Sequence, residues 1–544
     1  MSALIFLACF EGRHMIRPIL ILIIFSGAIL HPLVGQEHLK RNKSIDVLSY
    51  RFEIDLNDTT DIIRGNAVVE VLFKSEVDQF TLELKNMSGD GKGMLVRELL
   101  EENHGADYTH ADDKIEITST GSKAGMIRRY HIKYEGIPGD GLIISTNKYG
   151  DRTFFGDNWP NRAHHWLPVV DHPSDKALVE FQIHAPAAYR VVSNGENVRE
   201  SIIGNRIVSD WITKVPIPTK LMVIGVSPFS VQYRESASGV PVSTWVYPQN
   251  KEEGFRDFSN AILPLDYFEW YIAPYPYSKL ANVQSKTVFG GMENASCIFY
   301  GENKVTGKQD LETLIAHEIA HQWFGDAVSE QNWYHVWISE GFATYLADLY
   351  LEHVHGRDAF VASLLDEKDQ VLKFSRRRYA PIIDTTVGVS IRLLNNNSYE
   401  KAGWVLHMLR RELGDDLFRQ SVRSFYEEYK FGNALTKDFR QVVQAVSGKD
   451  FTSFFFQWFH QPGHPVLSAD WQYADGEIKL TITQHQLQHI FEFPLDIEMK
   501  YDFGGSRTET FMVDAPEHTF RIRSVDKPTE IILDPETWLL FEYY

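Results

Sequence analysis

The residues Asp310-Leu311-Glu312-Thr313-Leu314-Ile315-Ala316-His317-Glu318-Ile319-Ala320-His321-Gln322-Trp323-Phe324 decide how this chain is read. Leu311, Ile315 and Ile319 recur at helical spacing and give the segment one apolar side to anchor in a core. His317 and His321, four residues apart, share another face, so both imidazoles can reach a single ion. Glu318 lies at the edge of that face, placed to take a proton from water rather than to ligate. Alone, this pattern also describes a helix carrying two core or surface histidines. Downstream, Trp337-Ile338-Ser339-Glu340-Gly341-Phe342 opens a second helical segment, and Glu340 adds an oxygen to the two nitrogens. That set leaves a fourth tetrahedral position open. It suits one catalytic zinc ion better than magnesium or calcium.

Working outward, the hydrophobic period changes twice. From Ile45 to about Val240 apolar and polar residues alternate, as in Tyr50-Arg51-Phe52-Glu53-Ile54-Asp55-Leu56, which marks half-buried strands. Asn250–Ile272, Leu311–Phe324, Ser339–His355, Tyr399–Leu413 and Asp415–Lys430 carry helical spacing, and several end near Gly325, Gly356 or Gly414. After His464-Pro465 the alternation returns, as in Glu477-Ile478-Lys479-Leu480-Thr481-Ile482-Thr483. The expected fold is a multidomain α+β protein. An all-β unit spans residues 37–238, a mainly helical catalytic unit 239–463, and a small β-sandwich 464–544.

A length of 544 residues allows several cores, and 44% hydrophobic with 23% charged residues is the composition of a folded, water-soluble protein. Lys and Arg total 54 against 73 Asp and Glu, a formal charge of −19 that excludes nucleic acid and anionic lipid as natural partners. Two cysteines, Cys9 and Cys297, cannot form a disulfide framework. Met15-Ile16-Arg17-Pro18, an uncharged run from Ile19 to Leu30, and then His31 to Gln36 have the shape of a signal peptide. Residues 1–36 are therefore expected to be removed near Gly35 or Gln36, with export to a periplasmic, envelope-associated or secreted location. Translation can start at Met1 or Met15.

Further motifs share the order and approximate spacing of a known family. They are Gly290-Gly291-Met292-Glu293-Asn294, His317 to His321 continued by Gln322-Trp323-Phe324-Gly325-Asp326, Ser339-Glu340-Gly341-Phe342 and Ser398-Tyr399-Glu400-Lys401. With them the chain resembles the aminopeptidase N family of zinc peptidases, which includes the bifunctional leukotriene hydrolase. The resemblance implies a saddle-like β unit, a thermolysin-like catalytic unit and zinc held by His317, His321 and Glu340. It makes Glu318 the general base and Tyr399 the donor to the oxyanion. Glu293 becomes the carboxylate that binds the free α-amine, within a substrate-binding segment of Gly290, Gly291, Met292, Glu293 and Asn294. Such a carboxylate, fixed relative to zinc, counts one residue to the scissile bond. Small Gly290 and Gly291 let a substrate backbone lie close and pair as an added strand.

The chain also departs from the family. Ala347, beside Asp348, stands where members often carry a glutamate, and Asp157 is the substitute for a β-unit residue that helps hold the amine. The family's long carboxy-terminal helical domain is expected to be missing. The substrates expected are peptides with a free amino end. An epoxide hydrolase on the same metal site, an endopeptidase, or a catalytically inactive peptide-binding protein on the same fold are the alternatives.

Overall fold

The computed structural model describes residues 41–502 and 504–544. The expected signal sequence and Cys9 lie outside the described residues. Alternation in the amino-terminal unit becomes sheet: Ile63–Phe73 buries every second side chain and pairs antiparallel with both Ile45–Asp55 and Ile127–Ile137. Ile45–Asp55 also pairs in parallel with Lys176–Pro186, which joins the two halves of a nine-stranded sheet among the described residues. A four-stranded sheet beside it carries Arg152–Gly156, and the chain leaves that strand toward Asp157 and Trp159.

The second unit begins with a five-stranded sheet in the spatial order Ser230–Glu235, Pro241–Val246, Leu280–Ser285, Cys297–Gly301, Gly291–Met292. Leu280–Ser285 and Cys297–Gly301 are buried along their whole length, with polar Asn282 and Gln284 buried among apolar residues, whereas the edge strand Ser230–Glu235 is largely exposed. Ile298 and Tyr300 pack into the helical core, whereas Cys297 and Phe299 pack into the core of the amino-terminal unit. The two units thus share a sheet. The expected boundary at residues 238/239 needs correction, because it falls inside a hairpin: Ser230–Glu235 pairs with Pro241–Val246 through a turn at Gly239 (φ 90°). The glycine and serines of this turn look like a linker in sequence because hairpin turns and linkers use the same residues.

Behind the sheet lie the helices. Glu312–Ala320 packs against the 19-residue helix Trp337–His355, which in turn packs on Arg357–Arg377 and Ala402–Leu413. Gly341 allows the closest of these approaches, since a Cβ there would lie 2.5 Å from the Ala402 Cβ. The segment expected to start a helix at Tyr399 opens with a π-helical turn, Asn397–Lys401. The carboxy-terminal strands form a four-stranded and a three-stranded sheet, and their inner face merges with the helical core through residues such as Phe491, Leu540 and Phe541. Among the described residues no helix is long and apolar enough to cross a membrane.

Candidate active site

Three elements bring the expected ligands together. The helix Glu312–Ala320 presents His317 near its end and His321 just past it, and the first turn of Trp337–His355 presents Glu340. The two Nε2 atoms are 3.0 Å apart, and the Glu340 carboxylate lies 3.3 Å from His321 Nε2 and 3.8 Å from His317 Nε2. Two ligands about 2.0–2.1 Å from a tetrahedral zinc are separated by roughly 3.3 Å. The three donor atoms therefore bracket the spacing that one such ion requires.

The surrounding hydrogen bonds fix the orientation of His321. Its Nδ1 lies 3.1 Å from the Phe324 carbonyl and 3.2 Å from the Ser339 hydroxyl. A proton on Nδ1 donated to that carbonyl leaves the Nε2 lone pair for a metal. Gly325 is required at this bend, because a Cβ would sit 2.8 Å from His321 Nδ1 and 2.5 Å from Ser339 Oγ.

Ionisable groups are concentrated here in a buried setting. Glu293, Glu318 and Glu340 are buried around two imidazoles, a donor set with excess negative charge that fits a divalent cation. Burial opposes ionisation of Glu340, yet His321 and His317 hold its carboxyl well below the usual range. Burial likewise disfavours charge on His321, but Glu340, Glu293 and Glu318 push it up to about 10. For His317 burial wins and lowers the pKa. Glu318 is pushed well above the ordinary carboxylate range by burial, with His321 opposing. Burial, aided by Glu340, keeps the Tyr399 phenol protonated. Its ring lies nearly parallel to that of His317, with centroids 6.1 Å apart. A single π-helical turn, a feature that recurs at functional sites, carries it there.

These groups border a cavity of about 470 Å³ whose wall includes Gly290, Gly291, Met292, Glu293, Leu394 and Tyr399. Gly291 belongs to the outermost strand of the five-stranded sheet and touches Glu318 so closely that a Cβ would lie 2.1 Å from its Oε1. Glu293 Oε1 has no hydrogen-bond partner. The segment that carries it is tied to the ligand helix by Gln322, whose Nε2 donates to the Glu293 carbonyl (2.7 Å) while its Oε1 accepts from the Ser296 amide (2.7 Å).

Two expected substrate-binding residues are not on the wall. Asn294 is wholly buried and does not line the cavity. Asp157 does not either: its carboxylate accepts from Arg162 Nη2 (2.8 Å) and from the Val288 amide (3.4 Å), and it is fully buried. The β unit contributes Trp159 instead. Irregular backbone follows the strand Arg152–Gly156, so no period in the sequence tells which nearby residue faces inward. Ala347 and Asp348 also lie away from the cavity, with Asp348 accepting from Ser363 Oγ (2.7 Å).

The sequence reading missed a buried ion pair behind Trp159. Lys220 of the β unit and Glu330 of the catalytic unit meet at 2.8 Å with side chains 1% and 0% exposed. The ammonium lies 5.4 Å from the Trp333 ring centre and 6.0 Å from that of Trp159. In sequence, such residues look like ordinary surface charges.

Comparison with known proteins shows the family and the fold. Residues 258–458 match the Peptidase family M1 domain and residues 47–221 the Peptidase M1 N-terminal domain. The chain is 25% identical over 460 residues to "Probable aminopeptidase 1" of Sulfurisphaera tokodaii, covering 81% of this chain and 56% of that protein. It is 27% identical over 335 residues to "Aminopeptidase M1" of Arabidopsis thaliana (59% and 38%) and 28% identical over 335 residues to mouse "Glutamyl aminopeptidase" (58% and 35%). The chain thus spans 35 to 56% of these relatives' lengths. In fold it is similar to Legionella pneumophila aminopeptidase A, solved in complex with aspartic acid. The TM-score is 0.81 at 18% identity, over 93% of this chain and 60% of that one.

Proposed function

We propose, from the premise that this chain belongs to peptidase family M1, that it is a zinc-dependent aminopeptidase hydrolysing the first peptide bond of peptides with a free amino end. The observation that carries this reading is the place of Glu293. A buried carboxylate with an unpartnered oxygen stands within 4.8 Å of the Glu318 and His321 donor atoms, on a cavity wall whose neighbouring residues form the outermost strand of the sheet. An ammonium group paired with that oxygen would put the next carbonyl, and no later one, at the ligand cluster.

His317, His321 and Glu340 would hold the zinc. Bound there, zinc supplies Lewis-acid polarisation of a carbonyl and acidification of water. Glu318 takes the proton of the attacking water at its carboxylate and passes it to the leaving nitrogen. The Tyr399 hydroxyl donates to the carbonyl oxygen as negative charge grows on it, which favours the transition state over the bound substrate. The edge strand at Gly291 aligns the substrate backbone, and Glu293 fixes its end.

The test combines metal analysis of the purified chain with a screen of aminoacyl fluorogenic substrates and one matched peptide pair. One zinc per chain and release of the first residue are expected. Acetylation of the peptide amine should reduce cleavage by at least about a hundredfold, the scale of losing one partner of a buried charge pair. Efficient cleavage of the blocked peptide at an internal bond would reject an exopeptidase. The Met15 to Gln36 sequence supports export, so native material should begin near Gln36 or Glu37.

A further inference from the structure

The turn that carries Glu293 is held along its backbone and left free at one carboxylate oxygen. It joins Gly291–Met292 to Cys297–Gly301, two strands that pair antiparallel. Asn194 of the amino-terminal unit donates to the Ala295 carbonyl (2.8 Å), and the Gly195 amide donates to the Ser296 hydroxyl (2.8 Å). Lys279 Nζ donates to the Ser296 carbonyl (2.8 Å). Ser296 has φ 62°, a left-handed conformation that a residue other than glycine keeps only where its surroundings hold it. Glu293 Oε1, by contrast, has no partner.

One side chain ties this turn to the metal ligands. Gln322 is wholly buried and is the next residue after His321. Its amide has two N–H groups and two oxygen lone pairs, and all four are used. Nε2 donates to the Glu293 carbonyl (2.7 Å) and to Asp326 Oδ2 (3.0 Å). Oε1 accepts from the Ser296 amide (2.7 Å) and from the Tyr275 hydroxyl (3.2 Å). Turning the amide over would set oxygen against oxygen at Glu293 and Asp326, so a single orientation satisfies the network. A saturated, buried side chain therefore bridges the residue beside a ligand and the residue with the free carboxylate.

We propose that Gln322 is a positioning residue that sets the distance between the Glu293 carboxylate and the metal ligands, and with it the count of one residue from the amine to the cleaved bond. The proposal rests on the aminopeptidase reading and names the part that keeps its two anchor points in register. A shift of about 1 Å between such anchors is enough to cost roughly a hundredfold.

The experiment measures, by titration calorimetry on the zinc-loaded full chain, the affinities of L-leucine hydroxamate and of 4-methylpentanohydroxamate, the same zinc-binding compound without the amine. The amine should favour the first by about a hundredfold in the unaltered protein, the scale of a buried charge pair, and the ratio should collapse toward one in Glu293→Gln. Gln322→Met keeps the length of the side chain and none of its hydrogen bonds. There the ratio should fall by at least about tenfold, while zinc stays at one per chain and the amine-free compound binds as before. A ratio that survives in Gln322→Met overturns the proposal and leaves the aminopeptidase reading in place, whether or not stability or zinc content falls. If Gln322→Met does not fold, Gln322→Asn, whose amide is shorter by one methylene, is judged by the same criterion. A ratio no larger in the unaltered protein than in Glu293→Gln rejects amine capture by Glu293, and with it both the aminopeptidase reading and the proposal.

Discussion

The helix Trp337–His355 buries two carboxylates two turns apart, and they behave in opposite ways. Glu340 meets two imidazoles, which draw its pKa far down and keep it charged. Asp348 meets the Ser363 hydroxyl and the carboxyl of Glu367, and burial pushes it up to about 7. Burial sets the cost of a charge on both; the partner decides whether the charge is kept. Glu340 leads into a cavity with unpartnered donor atoms, whereas Asp348 is enclosed between two helices. The Lys220–Glu330 pair is a third case, a cation and a carboxylate enclosed against each other. Function therefore tracks the cluster that borders a cavity, and the enclosed pairs serve the fold.

The contrast is broken most directly at Glu318, which belongs to the open cluster without being a ligand. Glu318→Gln keeps its shape beside Gly291, so zinc content should stay at one per chain while turnover falls roughly 10² to 10⁴-fold. Near-normal turnover would remove Glu318 from the mechanism. Lys220→Met tests a closed pair. It leaves the Glu330 carboxyl group without its partner in the interior, and should lower unfolding free energy by about 3–5 kcal/mol. Adding Glu330→Leu should restore much of that loss. If the double variant is no more stable than the single one, the pair is not an isolated structural unit.

Tyr399→Phe sharpens the open side. Ring packing against His317 is retained, so folding, zinc content and KM should change little. Loss of one oxyanion donor should lower kcat roughly 10² to 10³-fold, about 3–4 kcal/mol. A change of only a few-fold in kcat, accompanied by lower stability, makes Tyr399 a packing residue.

The open cluster was legible in the sequence and the closed pairs were not, for a physical reason. His317, His321 and Glu340 sit on or at the end of helices, where spacing fixes the shared face, and Gly291 leaves the room that the Glu318 carboxylate occupies. Asp157 and Trp159 follow the end of a strand, where no period says which side chain turns inward; Asp157, expected to help hold the amine, lies off the cavity wall and Trp159 lies on it. Lys220 with Glu330, and Asp348 with Glu367, bring together residues from distant segments. A charge that finds its partner only through tertiary packing carries no local mark. The boundary at residues 238/239 failed similarly, because a hairpin turn and a linker are built from the same residues.

The smallest expected effect comes from Asp348, and its sign follows from proton counting. In the folded chain burial raises Asp348 to about 7, with the Ser363 hydroxyl and Glu367 opposing, while in the unfolded chain an aspartate ionises near pH 3.9. Between these values the folded state binds more protons than the unfolded state. Asp348 therefore contributes stability that is complete below about pH 4 and is lost as pH rises through 7. Glu367 is also raised well above its ordinary value, by burial first and then by Asp348, so the pair acts in the same direction. Asp348→Asn removes one of these titrations. Its amide oxygen can still accept from Ser363, and its amide nitrogen can donate to Glu367. The variant should unfold at nearly the wild-type denaturant concentration at pH 5 and should be more stable by on the order of 1–2 kcal/mol at pH 8. Taking the difference between the two proteins cancels titrations at the ligand cluster, which they share. A variant that is less stable at both pH values, with an unchanged slope, would mean that Asp348 keeps its charge in the folded chain. The contrast with Glu340 would then lie in geometry alone.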